Sequence, residues 1–307
     1  MVTAPCASSM QMPLPAVADE EGAAVDPDLP YVVDAHVHLF PDRVFEAIWR
    51  WFDEHGWPIR HKLKSAETID FLLSRGVGHI VALHYAHQPG MARMLNRYVA
   101  EIVKDRPRVT GLATVLPGEP DAVAILEEAF ALGLKGVKLH CHVQCFAPDA
   151  PETNVLYETC VKYNKPLIMH SGREPKSDAL KCDPYELCAA DRIDHVLTNH
   201  PKLRLCVPHL GADELDAYEA LVLKHDHLWL DTTMMMADYF ALRAPLGILE
   251  KRPERVLYGT DFPNIPYAWD RELVRIKERG WNDHVLERVL AKNARELYGI
   301  SESTMPA

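Results

Sequence analysis

Histidine and aspartate residues stand at the ends of several apolar stretches of this 307-residue chain. The first stretch contains the pair His36 and His38, and later stretches end in His170, His209 and Asp261. Imidazole nitrogens and carboxylate oxygens are ligands that zinc and related divalent metals prefer. Because residues two apart on a strand point to the same side, His36 and His38 can bind one ion together. The joint pattern predicts a metal site.

A lysine stands in the middle of another apolar stretch, where Lys138 precedes Leu139 and His140. A cation inside an apolar core is costly unless it is paired or neutralised. We expect Lys138 either to pair with a carboxylate or to bind an anionic substrate. A third alternative is a carboxylated lysine that bridges two metal ions.

Short apolar stretches alternate with amphipathic ones and predict the elements that position these residues. Buried strands are predicted at 31–35, 79–84, 109–115, 136–140, 166–170, 203–208, 228–231 and 256–259. Helices are predicted at 43–54, 66–75, 91–104, 121–132, 154–163, 184–199, 213–224, 237–249, 271–279 and 282–298. Asp121 and Asn154 are expected to be N-caps, and Gly133 and Gly299 to end helices.

Eight strands that alternate with helices predict an α/β fold, a single-domain (β/α)8 barrel of the TIM type. We assign the barrel to residues 31–300, a flexible N-terminal arm to residues 1–30 and a C-terminal tail to residues 301–307. In such barrels the active site lies at the carboxyl ends of the strands, where the histidines and aspartate are predicted.

The composition argues against several classes of partner. The formal net charge of −11 does not favour nucleic acid or an anionic membrane surface, because both need a basic face. No apolar stretch is long enough for a membrane helix, and the N-terminus does not look like a signal peptide. Seven scattered cysteines favour reduced thiols, so we expect a cytoplasmic protein. The expected partner is a small-molecule substrate.

The order of these motifs resembles the amidohydrolase superfamily. The segments around His36 and His38, around His209 and around Asp261 resemble the branch that contains amino-carboxymuconate-semialdehyde decarboxylase and related metal-dependent hydrolases. The resemblance runs from about Tyr31 to Gly299, and it is more specific for the superfamily than for the reaction. It also makes a homo-oligomer plausible.

The resemblance implies a role for each motif residue. His36, His38, His170 and Asp261 would bind one divalent ion. Zinc is expected, with Mn²⁺, Co²⁺ or Fe²⁺ as alternatives because the ligand set suits all of them. His209 would lie beside the metal-bound water as general base or proton shuttle, and Asp261 or His209 could accept the proton of that water. Lys138 matches the position that is carboxylated in two-metal members; the decarboxylase itself has no lysine there, which leaves the number of metal ions and the reaction open.

The expected activity is metal-dependent hydrolysis, in which activated water attacks an ester, lactone or amide-like bond of a small carboxylated substrate. One alternative is a non-oxidative decarboxylase of a small aromatic or muconate-type acid. Another is a barrel that binds a ligand without catalysis. Hydrolysis is favoured because Lys138 is present.

Several side chains are predicted to bind the substrate from the loops that follow the strands. Arg173 and Arg43 could bind a carboxylate, while tryptophans of the first helix could form an apolar wall. The remaining candidates are His140, Gln144, His84 and Asn264.

Overall fold

The computed structural model describes residues 19–239 and 246–301. Within them, eight parallel strands follow one another around the molecule. These are β1 (Val33–His38), β2 (His79–Leu83), β3 (Val109–Gly111), β4 (Val137–His140), β5 (Leu167–His170), β6 (Leu205–Val207), β7 (Leu228–Asp231) and β8 (Val256–Leu257). All eight strands lie where the sequence predicts them.

The strands close into a barrel. Regular hydrogen-bonded ladders connect neighbouring strands within two groups, β1-β2-β3 and β4-β5-β6-β7-β8. Isolated bridges join the two groups. Ala113 pairs with Val137 on one side, and Val37 pairs with Phe262 on the other. The predicted (β/α)8 barrel is therefore confirmed.

Helices surround the strands. They are α1 (Asp42–His55), α2 (Ser65–Ser74), α3 (Ala92–Val103), α4 (Ala122–Ala131), α5 (Cys141–Gln144), α6 (Asn154–Lys162), α7 (Pro184–Leu187), α8 (Ala190–Asn199), α9 (Leu215–Lys224), α10 (Gly247–Lys251), α11 (Arg271–Glu278), α12 (Asp283–Glu287) and α13 (Asn293–Tyr298). The π-helical segment Arg288–Lys292 joins the last two. In the described part of the chain, none of the helices has the length and hydropathy needed to cross a membrane.

The helix predicted at 184–199 is two helices, because the backbone between them bonds elsewhere. The carbonyl of Cys188 accepts hydrogen bonds from Gly172 N and from Ser171 Oγ, which follow β5. These bonds tie the loop after β5 to the break between α7 and α8. The prediction of one continuous helix here was wrong.

Other helix limits also differ from the predictions. Of the helix predicted at 237–249, residues 240–245 lie outside the described part and the helix seen there is α10. Asn154 is the first residue of α6 and its side chain bonds His200 instead of capping the helix. Asp121 stands at its predicted N-cap position, but its carboxylate pairs with Arg93.

A β-bulge in β1 turns two histidines toward the site. The pairing of β1 with β2 shifts register between Asp34 and Val37. Before the shift, Val33 and Ala35 pack in the apolar cluster that includes α13, while Val37 packs in the cluster shared with the outer helices. A bulge changes which face of the strand a side chain occupies. His36 lies within the shifted segment and His38 lies just after it.

Residues 19–30, assigned from the sequence to a flexible arm, bind the barrel of their own chain. Gly22 N donates to Asp270 Oδ2 over 2.9 Å, and Trp269 Nε1 donates to Gly22 O over 2.9 Å. Asp19 forms an ion pair with Arg271. These contacts tie this part of the arm to the residues that begin α11, and residues 1–18 lie outside the described residues.

Candidate active site

Two groups of metal-binding side chains meet at the carboxyl ends of the strands. The first, which we call the β1/β8 cluster, consists of His36, His38 and Asp261, with one ligand atom of each within 4.8 Å of the others. Asp261 Oδ1 lies 2.9 Å from His38 Nε2 and 3.3 Å from His36 Nε2. Three of the four predicted ligands therefore come together.

Buried carboxylates hold the β1/β8 cluster from behind. Asp231, the last residue of β7, accepts a hydrogen bond from His36 Nδ1 over 2.8 Å. Because the Nδ1 of His36 donates there, its Nε2 lone pair faces Asp261. Asp34 accepts from His36 N and from Thr260 Oγ1, which fixes β1 against the segment after β8. Burial raises the pKa of Asp34 to about 7.

Lys138 is fully buried next to this cluster, with its Nζ 3.4 Å from His36 Nε2. Burial lowers the pKa of Lys138 to about 8, against the opposite effect of the charges of Asp231 and Asp261. Burial and then the charge of Lys138 hold the pKa of His36 well below its usual range. Asp261 differs, because its neighbours His38 and His36 outweigh burial and lower its pKa.

The second group, which we call the β4/β5 cluster, consists of His140, His142 and His170, again with ligand atoms within 4.8 Å of one another. The rings of His140 and His170 stack at 4.0 Å between centroids, and His142 meets His140 edge-on at 4.4 Å. Glu174 Oε1 lies 2.5 Å from His170 Nε2. His170, predicted to complete the first site, thus lies in the second cluster.

His209 stands between the two clusters. Its ring centroid lies 5.7 Å from that of His36 and 4.6 Å from that of His170. His209 Nδ1 donates to Thr233 O over 3.0 Å, and its Nε2 lies 3.2 Å from His170 Nδ1. This geometry directs Nε2 of His209 into the site.

The backbone is strained at two of these residues. His209 has φ of 56° and Asp261 has φ of 70°, in the left-handed region that non-glycine residues seldom adopt. Such conformations cost on the order of 1 kcal/mol or more and tend to persist at functional sites. Both residues follow strands, and their side chains line the cavity at the carboxyl ends of the strands.

A cavity of about 450 Å³ opens above the clusters. Its apolar walls include Trp51, Phe52 and Trp57 from α1 and the residues after it, together with Tyr85 and Met235. Its polar lining comprises His38, His55, His140, His142, His170, Glu174, Lys176, Ser177, His209, Asp213, Asp261 and Asn264. The cavity is the size of a small-molecule site.

Only some of the predicted substrate-binding residues reach this cavity. His140 and Asn264 line it. Gln144 is buried and bonds the backbone, accepting from His140 N and donating to the carbonyls of Ala86 and Val115.

Three others point elsewhere. His84 is buried against α3, with Nε2 3.0 Å from Asn96 Oδ1. Arg43 is exposed on α1, and Arg173 stacks over Tyr185 and pairs with Glu214. The structure thus places His84, Arg43 and Arg173 outside the cavity lining, contrary to expectation: Asn96 holds His84 against α3, Tyr185 and Glu214 hold Arg173, and Arg43 lies on the exposed face of α1.

Three further residues of the site, Asp231, Glu174 and Tyr85, were not predicted from the sequence. Asp231 ends β7 in Leu-Trp-Leu-Asp, so the rule that identified the other strand-end residues could have found it. Glu174 lies four residues beyond His170, within a loop whose shape the sequence does not determine. Tyr85 follows His84 and packs edge-on against His38 and His140.

A sequence model of the amidohydrolase family matches residues 33–300. The chain belongs to the amidohydrolase family. This confirms the resemblance seen in the motifs, and the match spans every strand of the barrel. A comparison with curated proteins finds no match.

Solved structures share the fold of this amidohydrolase at low sequence identity. The 5-carboxyvanillate decarboxylase of Sphingomonas paucimobilis is 18% identical with a TM-score of 0.64, covering 88% of this chain and 99% of its own. The 5-carboxyvanillate decarboxylase of Novosphingobium aromaticivorans, complexed with manganese, is 13% identical with a TM-score of 0.65, covering 92% and 100%. A protein of Acinetobacter baumannii, described as a 2-pyrone-4,6-dicarboxylic acid hydrolase, is 15% identical with a TM-score of 0.58, covering 88% and 100%.

Proposed function

We propose that this protein is a metal-dependent decarboxylase of a small aromatic acid that carries a hydroxyl or methoxy group beside its carboxylate. The observation that carries the proposal is an aromatic-walled cavity that is lined by His38 and Asp261 of the β1/β8 cluster. Two of the structures that share the fold are decarboxylases of such an acid. The family match does not choose between the two reactions, since the structures that share the fold include both decarboxylases and a hydrolase.

The residues of the β1/β8 cluster fit a divalent cation. With His36 Nδ1 donating to Asp231, its bare Nε2 faces the carboxylate of Asp261 at 3.3 Å, and the Nζ of buried Lys138 makes only a long contact of 3.4 Å with that Nε2. A cation there would satisfy both the Nε2 and the carboxylate, and three protein ligands leave positions open, as catalytic sites do. When bound, the ion would act as a Lewis acid on the carboxylate and hydroxyl oxygens of the substrate.

The chain's own residues supply the remaining functions. Trp51 and Trp57 would hold the aromatic ring and exclude water, since both line the cavity. In the reaction the bond between ring carbon and carboxylate breaks, its electron pair stays on the ring carbon, and carbon dioxide leaves. His209 is placed to relay the proton that this carbon then needs: with Nδ1 anchored on Thr233, its bare Nε2 would first take up a proton from solvent or from the hydroxyl group of the substrate and then donate it to the ring carbon.

Hydrolysis is the second candidate. It was favoured from the sequence because of Lys138, yet Lys138 is buried behind His36 and does not line the cavity. The observation that still favours hydrolysis is the tautomer of His209, whose bare Nε2 can accept a proton from water. The two reactions differ in product, so one assay separates them.

The test uses hydroxy- and methoxy-benzoic acids labelled with ¹³C at the carboxylate, alongside a panel of aromatic lactones and esters. We expect labelled carbon dioxide from the acids, at a rate that falls by about 10²-fold or more in Asp261→Asn. His195→Asn, an exposed position on α8, is the control. Acid release from the lactones or esters without carbon dioxide would replace decarboxylation by hydrolysis.

A further inference from the structure

The β4/β5 cluster contains more hydrogen-bond acceptors than protons. Thr233 O can only accept, so His209 Nδ1 carries a proton and the Nε2 of neutral His209 is bare. The contact of 3.2 Å between that Nε2 and His170 Nδ1 then requires the proton on His170 Nδ1. Neutral His170 is left with a bare Nε2.

That bare nitrogen faces a carboxylate. Glu174 Oε1 lies 2.5 Å from His170 Nε2, and Glu174 Oε2 lies 3.6 Å from His142 Nδ1. Two lone pairs do not meet at such a distance unless a positive charge lies between or beside them. A proton can supply that charge at 2.5 Å, and a metal ion about 2 Å from each ligand atom can supply it once the two atoms have moved about 3 Å apart.

The neighbouring histidines distinguish these two possibilities. The Nδ1 atoms of His140 and His142 are buried and have no hydrogen-bond partner among the described residues. Both residues are less than a tenth exposed. A proton shared by His170 and Glu174 would leave these atoms unsatisfied, whereas an ion could be bound by all four side chains.

We infer that His140, His142, His170 and Glu174 form a second metal-binding site, separate from the β1/β8 cluster and suited to zinc or a similar divalent ion. Three imidazoles and one carboxylate are a donor set that such ions prefer. The inference goes beyond the proposed function, which needs only the β1/β8 cluster. His209, which contacts His170, would link the two sites.

The experiment measures metal per chain. The full-length protein is stripped of metal, saturated with zinc, passed through a gel-filtration column and analysed by mass spectrometry. We expect about two equivalents in the wild type and about one in His142→Asn and in Glu174→Gln. Glu174 lies on a partly exposed loop, so its variant is expected to fold even if His142→Asn does not. His195→Asn, at an exposed histidine, should keep both equivalents.

Two further variants identify each site. Asp261→Asn should lose the equivalent of the β1/β8 cluster and keep that of the β4/β5 cluster. Lys138→Met should keep the zinc that His142→Asn loses; loss in Lys138→Met but not in His142→Asn would mean that a carboxylated Lys138 binds the second ion. One equivalent in the wild type, unchanged in His142→Asn and Glu174→Gln, would show that the cluster holds only a proton and overturn the inference. The proposed function would fail separately, by absence of labelled carbon dioxide.

Discussion

The β1/β8 and β4/β5 clusters contain the same kinds of side chain but are supported differently. Paired backbone holds the first, since Asp261 N donates to His36 O and His38 N donates to Phe262 O. In the second, His140 and His170 end the paired strands β4 and β5, but His142 lies on the short helix α5 and Glu174 lies in the loop after β5. Ligands held by paired backbone keep their geometry when an ion is absent, so the first cluster is the better candidate for a catalytic centre.

The supporting acids differ as well. Asp231 binds His36 from a fully buried position, with its side chain only 2% exposed. Glu174, the acid of the β4/β5 cluster, has a side chain that is 28% exposed at the cavity wall. An acid at the wall can move with its loop, so we expect the second site to exchange its ion more readily than the first.

The largest expected effect comes from removing one histidine of each cluster. His38→Ala should lower kcat/KM for the substrate found in the product screen by about 10³-fold, because it removes a ligand of the proposed catalytic ion. His142→Ala should lower it by about tenfold, through the changed cavity wall. Equal losses in the two variants would abolish the functional distinction between the clusters.

A buried histidine outside both clusters should control stability in acid. Burial lowers the pKa of His84 to about 4 from its usual 6.5. The unfolded chain therefore binds the proton first, and the free energy of unfolding should fall as the pH decreases from about 6.5 to about 4, by on the order of 3 kcal/mol. Urea unfolding of metal-free protein measures this change. In His84→Gln the decrease over that range should be smaller, and an identical decrease would contradict the assignment.

Replacing Asp231 should weaken zinc binding at the β1/β8 cluster but not at the β4/β5 cluster. In Asp231→Asn the acceptor of His36 Nδ1 loses its charge, so the β1/β8 cluster should bind zinc about 10 to 100 times more weakly. The affinity of the β4/β5 cluster should stay within about threefold, since Asp231 bonds none of its members. Competition with a chromogenic chelator measures both, and equal weakening would show that the clusters act as one site.

The smallest effect is expected at the aromatic wall. Trp51→Ala should raise KM by about tenfold with a smaller change in kcat, because the lost contact stabilises the bound ring and not the reacting atoms. Arg43→Ala, exposed on the same helix, is the matched control and should leave both constants unchanged. An effect at Arg43 that exceeds the one at Trp51 would restore the substrate-binding role predicted for Arg43 from the sequence.

Much of the barrel could be predicted from the sequence because burial on both faces leaves a continuous apolar pattern, as in β5 and β7. Strand ends then identify which residues share one edge of the barrel, and His36, His38 and Asp261 do meet there. Side-chain direction within that edge was harder to predict. The ring of His170 stacks on that of His140 and meets that of His142 edge-on. The order of the strands does not predict this packing.

The loops limited prediction most. Arg173 follows β5 closely, yet Tyr185 and Glu214 draw its side chain away from the cavity. Glu174, its neighbour in the chain, turns the other way and contacts His170. Local propensity does not distinguish two such adjacent charged residues, since tertiary partners decide their orientation.

The most direct test of the central claim, that the β1/β8 cluster is a metal centre, is the metal content of Asp261→Asn. The wild type and the variant are purified side by side without added metal or chelator, and each is then saturated with zinc and analysed. We predict that the variant binds about one equivalent less than the wild type and loses activity. Equal metal content in the two proteins, or none in the wild type after zinc is added, would contradict the claim.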